Sequence, residues 1–214
     1  MNKTTITLFA AIAFLAGCSR PGIQGDGVIK TEDRPISEFS KLVAEGGYQI
    51  KWFSGKSALT ISTDQNLLPH IRTSVSGDTL RIDSDENLAP TKGITITLSS
   101  AALADARFTG GIHFTAGHLS GRNLRLESTG AADISVAGSV THLEANLTGA
   151  SHLSAKSLRT QTATLSLLGA SDAHVNVSDT LKVSITGAGS LTYSGNPKSV
   201  VQNITGAGRV QHLP

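Results

Sequence analysis

The sequence is poor in most of the residues that usually announce a function. It has one cysteine, Cys18, in 214 residues, so a disulfide within the chain is excluded. Aromatic residues make up 4% of the chain although 39% of it is hydrophobic. An ordinary globular core draws on bulky aromatic side chains, so a core without them must be thin. Charge is nearly balanced, with 18 basic against 16 acidic residues and a net charge of +2. No run of Lys or Arg provides the electrostatic footprint of a nucleic-acid binder. The one apolar run, Ile6 to Phe14, is too short to cross a bilayer, which takes about 20 residues. No helical pattern of usable length follows it. None of the serines sits in a G-x-S-x-G elbow. Gly187-Ala-Gly189 lacks the third glycine and the following helix of a dinucleotide fingerprint.

What is abundant is glycine, with 22 residues, and it is periodic. Copies of one short phrase read Ser128-Thr-Gly-Ala131, Leu147-Thr-Gly-Ala150, Leu167-Leu-Gly-Ala170, Ile185-Thr-Gly-Ala188 and Ile204-Thr-Gly-Ala207, after a degenerate Phe108-Thr-Gly-Gly111. The glycines fall at 110, 130, 149, 169, 187 and 206. A fixed period of about twenty residues is the mark of a solenoid, whose repeats bury their apolar faces only by stacking.

Alignment on the glycine sorts the neighbours by alternation, because residues two apart share one face of a strand. Positions two, four and six before the glycine, and four and six after it, are mostly apolar or small, as in Leu147, Ala145, Leu143, Leu153 and Ala155. These are expected inside, and the alanine directly after the glycine is expected to point inward with them. The position directly before it reads Thr109, Thr129, Thr148, Leu168, Thr186 and Thr205, an expected outward threonine ladder. Charges alternate in sign down the other outward columns, for example Asp105, Arg125 and Glu144. Vertical neighbours in a stack act as cross-strand pairs, so these charges are expected to set the register. Six rungs spaced about 4.8 Å apart would make a column roughly 29 Å long.

The rest of the chain is read by composition. Residues 1–17 have the layout of a signal peptide: a charged start, an apolar run and a short end. Leu15-Ala-Gly-Cys18 resembles the lipobox of bacterial lipoproteins. That resemblance implies that Cys18 is lipidated, carries palmitate and becomes the first mature residue. With Ser19 after it, the implied address is the cell envelope, at the outer membrane of a Gram-negative bacterium. Residues 18–35 are rich in breakers and read as a tether that could also pair locally through Val28 and Ile29. Residues 36–99 form a β-rich first module, with strands around Leu42–Trp52, Ala58–Thr63, Thr79–Ile82 and Ile94–Leu98, and a short helical turn near Pro69. Residues 100–214 form the repeat module.

The candidate chemistry is sparse. His113, Asp133, His152 and Asp172 form one outward column, and imidazole and carboxylate are zinc ligands. A vertical ladder spreads such groups apart instead of converging them, so neither a metal nor any other cofactor is expected. The column enters the reading as a binding ladder. Asp133 and Asp172 are two rungs apart, roughly 9.6 Å, with His152 between them, an arrangement that argues against a carboxylate pair working on sugars. No catalytic residue is assigned. Trp52 and Tyr48 are candidates for a sugar-stacking platform or, more simply, core residues of the first module.

Taken together, the lipobox, the Phe39-Ser-Lys-Leu-Val-Ala-Glu-Gly-Gly-Tyr48 entry and the stacked Thr-Gly-Ala copies resemble the bacterial head GIN domain family of auto-transporter adhesins, over about residues 36–208. The resemblance implies a right-handed parallel β-helix at the cell envelope and supplies no catalytic residues. No translocator barrel is expected after Thr205-Gly-Ala207, and a lipid anchor is expected in its place. The expected function is a non-enzymatic, lipid-anchored envelope protein used for adhesion or assembly. The alternative is a carbohydrate-binding or carbohydrate-cleaving β-helix. Expected partners are the membrane, through the lipid, and an envelope glycan or protein, with no nucleic acid. Homo-oligomers are expected through an exposed end rung.

Overall fold

A computed structural model describes residues 22–213. The chain is nearly all β and forms a solenoid of about five turns. The coil is built from β9 (Asp105–Gly130), β10 (Asp133–Gly149), β11 (His152–Gly169), β12 (Asp172–Gly187), β13 (Ser190–Ser194), β14 (Ser199–Gly206) and β15 (Arg209–His212). Neighbouring rungs pair in parallel with the corner glycines in register: Gly130 on Gly149, Gly149 on Gly169, Gly169 on Gly187 and Gly187 on Gly206. Six rungs were expected from six glycines. Each circuit, however, runs from one corner glycine to the next, so six corners bound five full circuits.

The corner explains the glycine. Gly169 has φ +99, and a Cβ there would lie 2.7 Å from the carbonyl oxygen of Gly149. Side chains rarely adopt that backbone region, and the rung beneath leaves them no room. The approach is close because Ala170 N donates to Gly149 O at 2.9 Å, a bond repeated one rung on by Ala188 N and Gly169 O. The period varies between 18 and 20 because each circuit has a second, irregular corner. The register shifts between Ser135 and Ala137, between Val136 and Gly138, and between Ala155 and Arg159. Insertions are absorbed there while the glycine corner stays fixed.

The expected inner columns are buried, with Leu147, Ala145, Leu143, Leu153 and Ala155 all inside. The alanine after the glycine is not. Ala131, Ala150, Ala170 and Ala188 are exposed, and the next residue turns inward instead. The corner residue breaks the alternation, so the inward face resumes two places after the glycine. After Gly130, Gly149 and Gly169 that inner column reads Ala132, Ser151 and Ser171. The two buried serines are satisfied vertically. Ser151 and Ser128 share a hydroxyl–hydroxyl bond, Ser171 Oγ donates to Gly149 O at 3.2 Å, and Ser151 N donates to Ser171 Oγ at 3.4 Å. Buried polar groups are tolerated when partnered in this way.

The N-terminal half joins the same sheet and core. β3 (Lys41–Ser54) lies under β9 from Lys41 on Asp105 to Trp52 on Ala116, with Gly46 on Gly110 and Gly47 on Gly111. Ala44-Glu-Gly-Gly47 is therefore a further copy of the corner, 64 residues before the next because residues 55–104 make an excursion. That excursion caps the end of the coil. β6 (Thr79–Ser84) covers the first half of β3, and β5 (Ile71–Ser76) pairs with β6. β8 (Thr95–Ser100) covers the second half, and β4 (Ala58–Asp64) follows it in antiparallel. The expected helical turn is the short 3-10 segment Leu68–His70.

The segment read as a tether is more ordered than that. β1 (Ile23–Gln24) pairs with β7 (Leu88–Ala89), and β2 (Ile29–Arg34) pairs along β4. Asp64 fastens it: its carboxylate accepts from Gly27 N at 2.8 Å, Thr91 N at 2.8 Å and Thr91 Oγ1 at 2.7 Å. Burial alone would raise its pKa, but these donors outweigh it and hold the carboxyl below its ordinary value. At the opposite end no described strand covers β14, and Val200, Val201 and Ile204 are exposed.

Candidate functional site

The outward columns of the coil are the surface on which a partner could be read. Beside the corner, two acid–base columns interlock. Arg107 Nε lies 3.1 Å from Asp105 and 3.2 Å from Glu127, and Arg125 Nε donates to Glu127 at 2.9 Å while its Nη2 lies 3.8 Å from Glu144. Donating hydrogen bonds to Asp105 and Glu127, and then the charges of those carboxylates, hold the Arg107 and Arg125 guanidinium groups more firmly protonated. The pairs run between rungs as well as along them, as a device that fixes register requires. These charges satisfy one another, which leaves few free for a ligand.

His113, Asp133, His152 and Asp172 are brought into one vertical column, each opposite the next. His113 Nδ1 lies 3.2 Å from Asp133 Oδ2. Asp172 turns to the next rung instead and accepts from Ser190 N at 3.0 Å. The column therefore divides into neighbouring pairs along the coil. No group of three His, Cys, Asp or Glu residues that could hold a metal ion occurs among the described residues. The geometry provides an exposed ladder of alternating donors and acceptors. Cys18, the remaining sequence-derived site, lies outside the described residues.

The threonine column is exposed from Thr109 to Thr205, with Leu168 as its apolar member. It runs beside the corner glycines, so its hydroxyls repeat with the rung spacing. Trp52 and Tyr48 are both buried, and Trp52 Nε1 donates to Ser100 Oγ at 2.9 Å. They are core residues and no exposed platform. The sequence reads Gly46-Gly47 as a glycine turn or bulge between two strand halves, and the structure makes it a further corner of the coil. The same doubled glycine stands at 110–111, where every later copy has Gly-Ala or Gly-Ala-Gly.

A thin-cored, capped β-solenoid with hydroxyl and charge ladders on its outside defines a class of stacked parallel β-repeat proteins. The family described as "Putative auto-transporter adhesin, head GIN domain" matches residues 38–197, and the chain belongs to that family. Among solved structures, a putative adhesin from Bacteroides fragilis is similar with a TM-score of 0.73 and 21% identity, over 90% of this chain and 100% of that one. A putative adhesin from Parabacteroides merdae has a TM-score of 0.57 at 17% identity, over 90% of this chain and 99% of that one. A protein from Parabacteroides distasonis described as a putative lipid binding protein has a TM-score of 0.53 at 19% identity, with 90% and 99% covered. At these identities the structures establish the shared fold. No curated protein matches the sequence.

Proposed function

We propose that the chain is a lipid-anchored, non-enzymatic module of the cell envelope that binds through the outer faces of its coil, in adhesion or surface assembly. The observation that carries this reading is the outward surface itself. It is a run of exposed threonines beside charges that are already paired with each other. Catalysis asks for convergent groups with unsatisfied chemistry, whereas a periodic, self-neutralised ladder suits a partner that also repeats, such as a glycan or an extended protein segment. The adhesin description of the family supports the same reading.

Anchoring rests on Cys18 and its lipobox. More than one acyl chain gives stable membrane attachment where a single chain is marginal, and the outer membrane is the proposed address. Association of copies is proposed at β14, which pairs with β12 on one side and exposes Val200, Val201 and Ile204 with no described strand on the other. Such edges invite pairing.

The experiment is an adhesion assay with cells carrying the wild-type chain, a chain with His113, Asp133, His152 and Asp172 all changed to Ser, and a chain with Thr129, Thr148 and Thr186 changed to Ala. Loss of adhesion in either variant at unchanged surface level is the expected result. Equal adhesion by all three overturns the ladder as the binding face.

A further inference from the structure

The chain enters the fold sooner than its composition suggests. A free tether from Cys18 to Pro35 would reach up to about 60 Å. The segment is tied down from Ile23 onward instead. Ile23 N donates to Asn87 O at 2.7 Å and Gly25 N to Ala89 O at 3.0 Å. Asn66 Nδ2 donates to Gln24 O at 2.7 Å, and Asp26 N donates to Asn66 Oδ1 at 3.0 Å. Gln65 N donates to Val28 O at 2.8 Å. Ile23 is the fifth residue after Cys18, so at most about 18 Å of chain separates them. A lipid on Cys18 would therefore hold the cap itself at the bilayer surface.

Just after this entry the chain presents Val28-Ile29-Lys30. Val28 is 56% and Ile29 41% exposed. They lead into β2, the outermost strand at the cap end of the sheet, with no described strand beyond it. Such edges are usually blunted against association, yet this one opens with two bare aliphatic side chains. The acids of the strip are already engaged. Asp26 Oδ1 accepts from Val28 N at 2.9 Å, and Glu32 pairs with Arg34 at 2.7 Å. Asp33 accepts from Thr60 Oγ1 at 2.6 Å, and Asp64 forms the clasp on Gly27 and Thr91. Lys30 is exposed and has no ion-pair partner among the described residues. The strip thus offers two aliphatic side chains and one uncompensated cation.

We infer that the cap edge at Val28–Lys30 docks on the phospholipid surface that anchors the chain. The inference rests on the lipid anchor proposed at Cys18 and adds to it a protein surface in contact with the bilayer. Val28 and Ile29 enter the headgroup layer, while the Lys30 ammonium reaches the lipid phosphates along its flexible stem. The short connection makes this contact intramolecular in effect, so a weak surface suffices. A second copy has no such tie to the edge. Docking here also orients the coil. The sheet order places β15 nine pairings from β2, roughly 43 Å at the strand spacing. The end rung therefore lies away from the lipid, and the threonine and charge ladders run out from it.

The test uses the full lipidated chain in vesicles of phosphatidylethanolamine and phosphatidylglycerol. A lipidated Cys18 has no free thiol, so one added cysteine can carry a fluorophore, either Val28→Cys or Val201→Cys. A lipid with a nitroxide high on its acyl chain quenches whatever lies at the surface, and flotation of the vesicles reads the anchor separately. Quenching of the label at Val28→Cys should exceed that at Val201→Cys at least fivefold. A label at the exposed Gln24→Cys guards against a fluorophore that enters lipid by itself. Adding Val28→Asp and Ile29→Asp should lower its quenching at least threefold, with flotation and circular dichroism unchanged. Flotation with equal quenching at the two ends leaves the anchor standing and overturns the docking, as does a Gln24→Cys label indifferent to the two aspartates. Disulfide-linked pairs of unlabelled Val28→Cys chains, without lipid quenching of the labelled ones, reassign the edge to a second copy and also overturn it. Failure to float refutes the anchor and, with it, the docking.

Discussion

Replacing Gly169 by alanine should damage the coil far more than its single methyl implies. The residue sits at φ +99 in the middle of the stack, with Gly149 beneath it and Gly187 above. Holding a side chain in left-handed backbone costs about 1–2 kcal/mol. The new Cβ would also lie 2.7 Å from Gly149 O, and relieving an overpacked contact costs about 1–3 kcal/mol. The rung cannot slide away freely, because Ala170 N and Ala188 N hold the corner between its neighbours. The sum is about 2–5 kcal/mol, which for a chain of this size lowers the midpoint by about 4–20 °C. Gly169→Val, with a branched side chain, should be worse. Gly111→Ala is the internal control. It adds the same methyl at ordinary φ into open space, so loss of chain entropy in the unfolded state should make it neutral or stabilising by up to about 1 kcal/mol. Thermal and urea unfolding of the three purified chains, followed by circular dichroism, reads the difference. A Gly169→Ala chain within about 1 kcal/mol of wild type, or a Gly111→Ala chain equally weakened, would refute the corner argument.

Arg125→Glu should lower the unfolding midpoint more than Lys182→Glu, because Arg125 touches Glu127 and Glu144 whereas Lys182 is in no ion pair among the described residues; equal midpoints count against the register role. The same gap should narrow in high salt, since exposed pairs are screened. Asp64 has a depressed folded pKa, so its contribution is complete above the ordinary aspartate value of about 3.9 and is lost as pH falls through the folded value. Hydrogen exchange at Gly27 and Thr91 should quicken over that acid limb in wild type, and Asp64→Asn should already exchange fast at neutral pH; identical exchange in the two chains would remove Asp64 as the clasp. Labelling cells with palmitate should mark the wild-type chain and leave Cys18→Ala unmarked, and a labelled Cys18→Ala chain would place the lipid elsewhere.

The repeat was legible because one backbone requirement recurs. A corner that admits no Cβ prints a glycine every 18 to 20 residues, and strands that bury one face print alternation around it. That was enough to identify a stacked coil, five of its inner columns, the outward threonines and the pairing of charges such as Arg125 with Glu144. It was not enough to decide which way the residue after the glycine points. Ala150 is as small as an inner residue, and only the geometry of the turn sends it outward and Ser151 inward. Small residues are compatible with both sides of a wall, so composition cannot separate them.

Long-range register is the other thing that local pattern could not carry. Gly46-Gly47 and Gly110-Gly111 are 64 residues apart in the chain, and nothing in either stretch states that β3 lies under β9. The partnership is fixed by the stacking of Leu42, Ala44, Ile50 and Trp52 on the next rung's Ala106, Phe108, Phe114 and Ala116, a cooperative choice made by the whole core. The covering of the first corner follows from the same choice: β6 and β8 each reach β3, residues 85–94 between them leave the sheet, and the Tyr48 ring lies over Gly46. By itself, then, the sequence determined the period, the class of fold and the family, since these rest on local backbone and side-chain rules. Only the tertiary structure decided how the first corner is covered and that Tyr48 keeps a buried hydroxyl without a hydrogen-bond partner among the described residues, because both depend on where separate segments come to rest against each other.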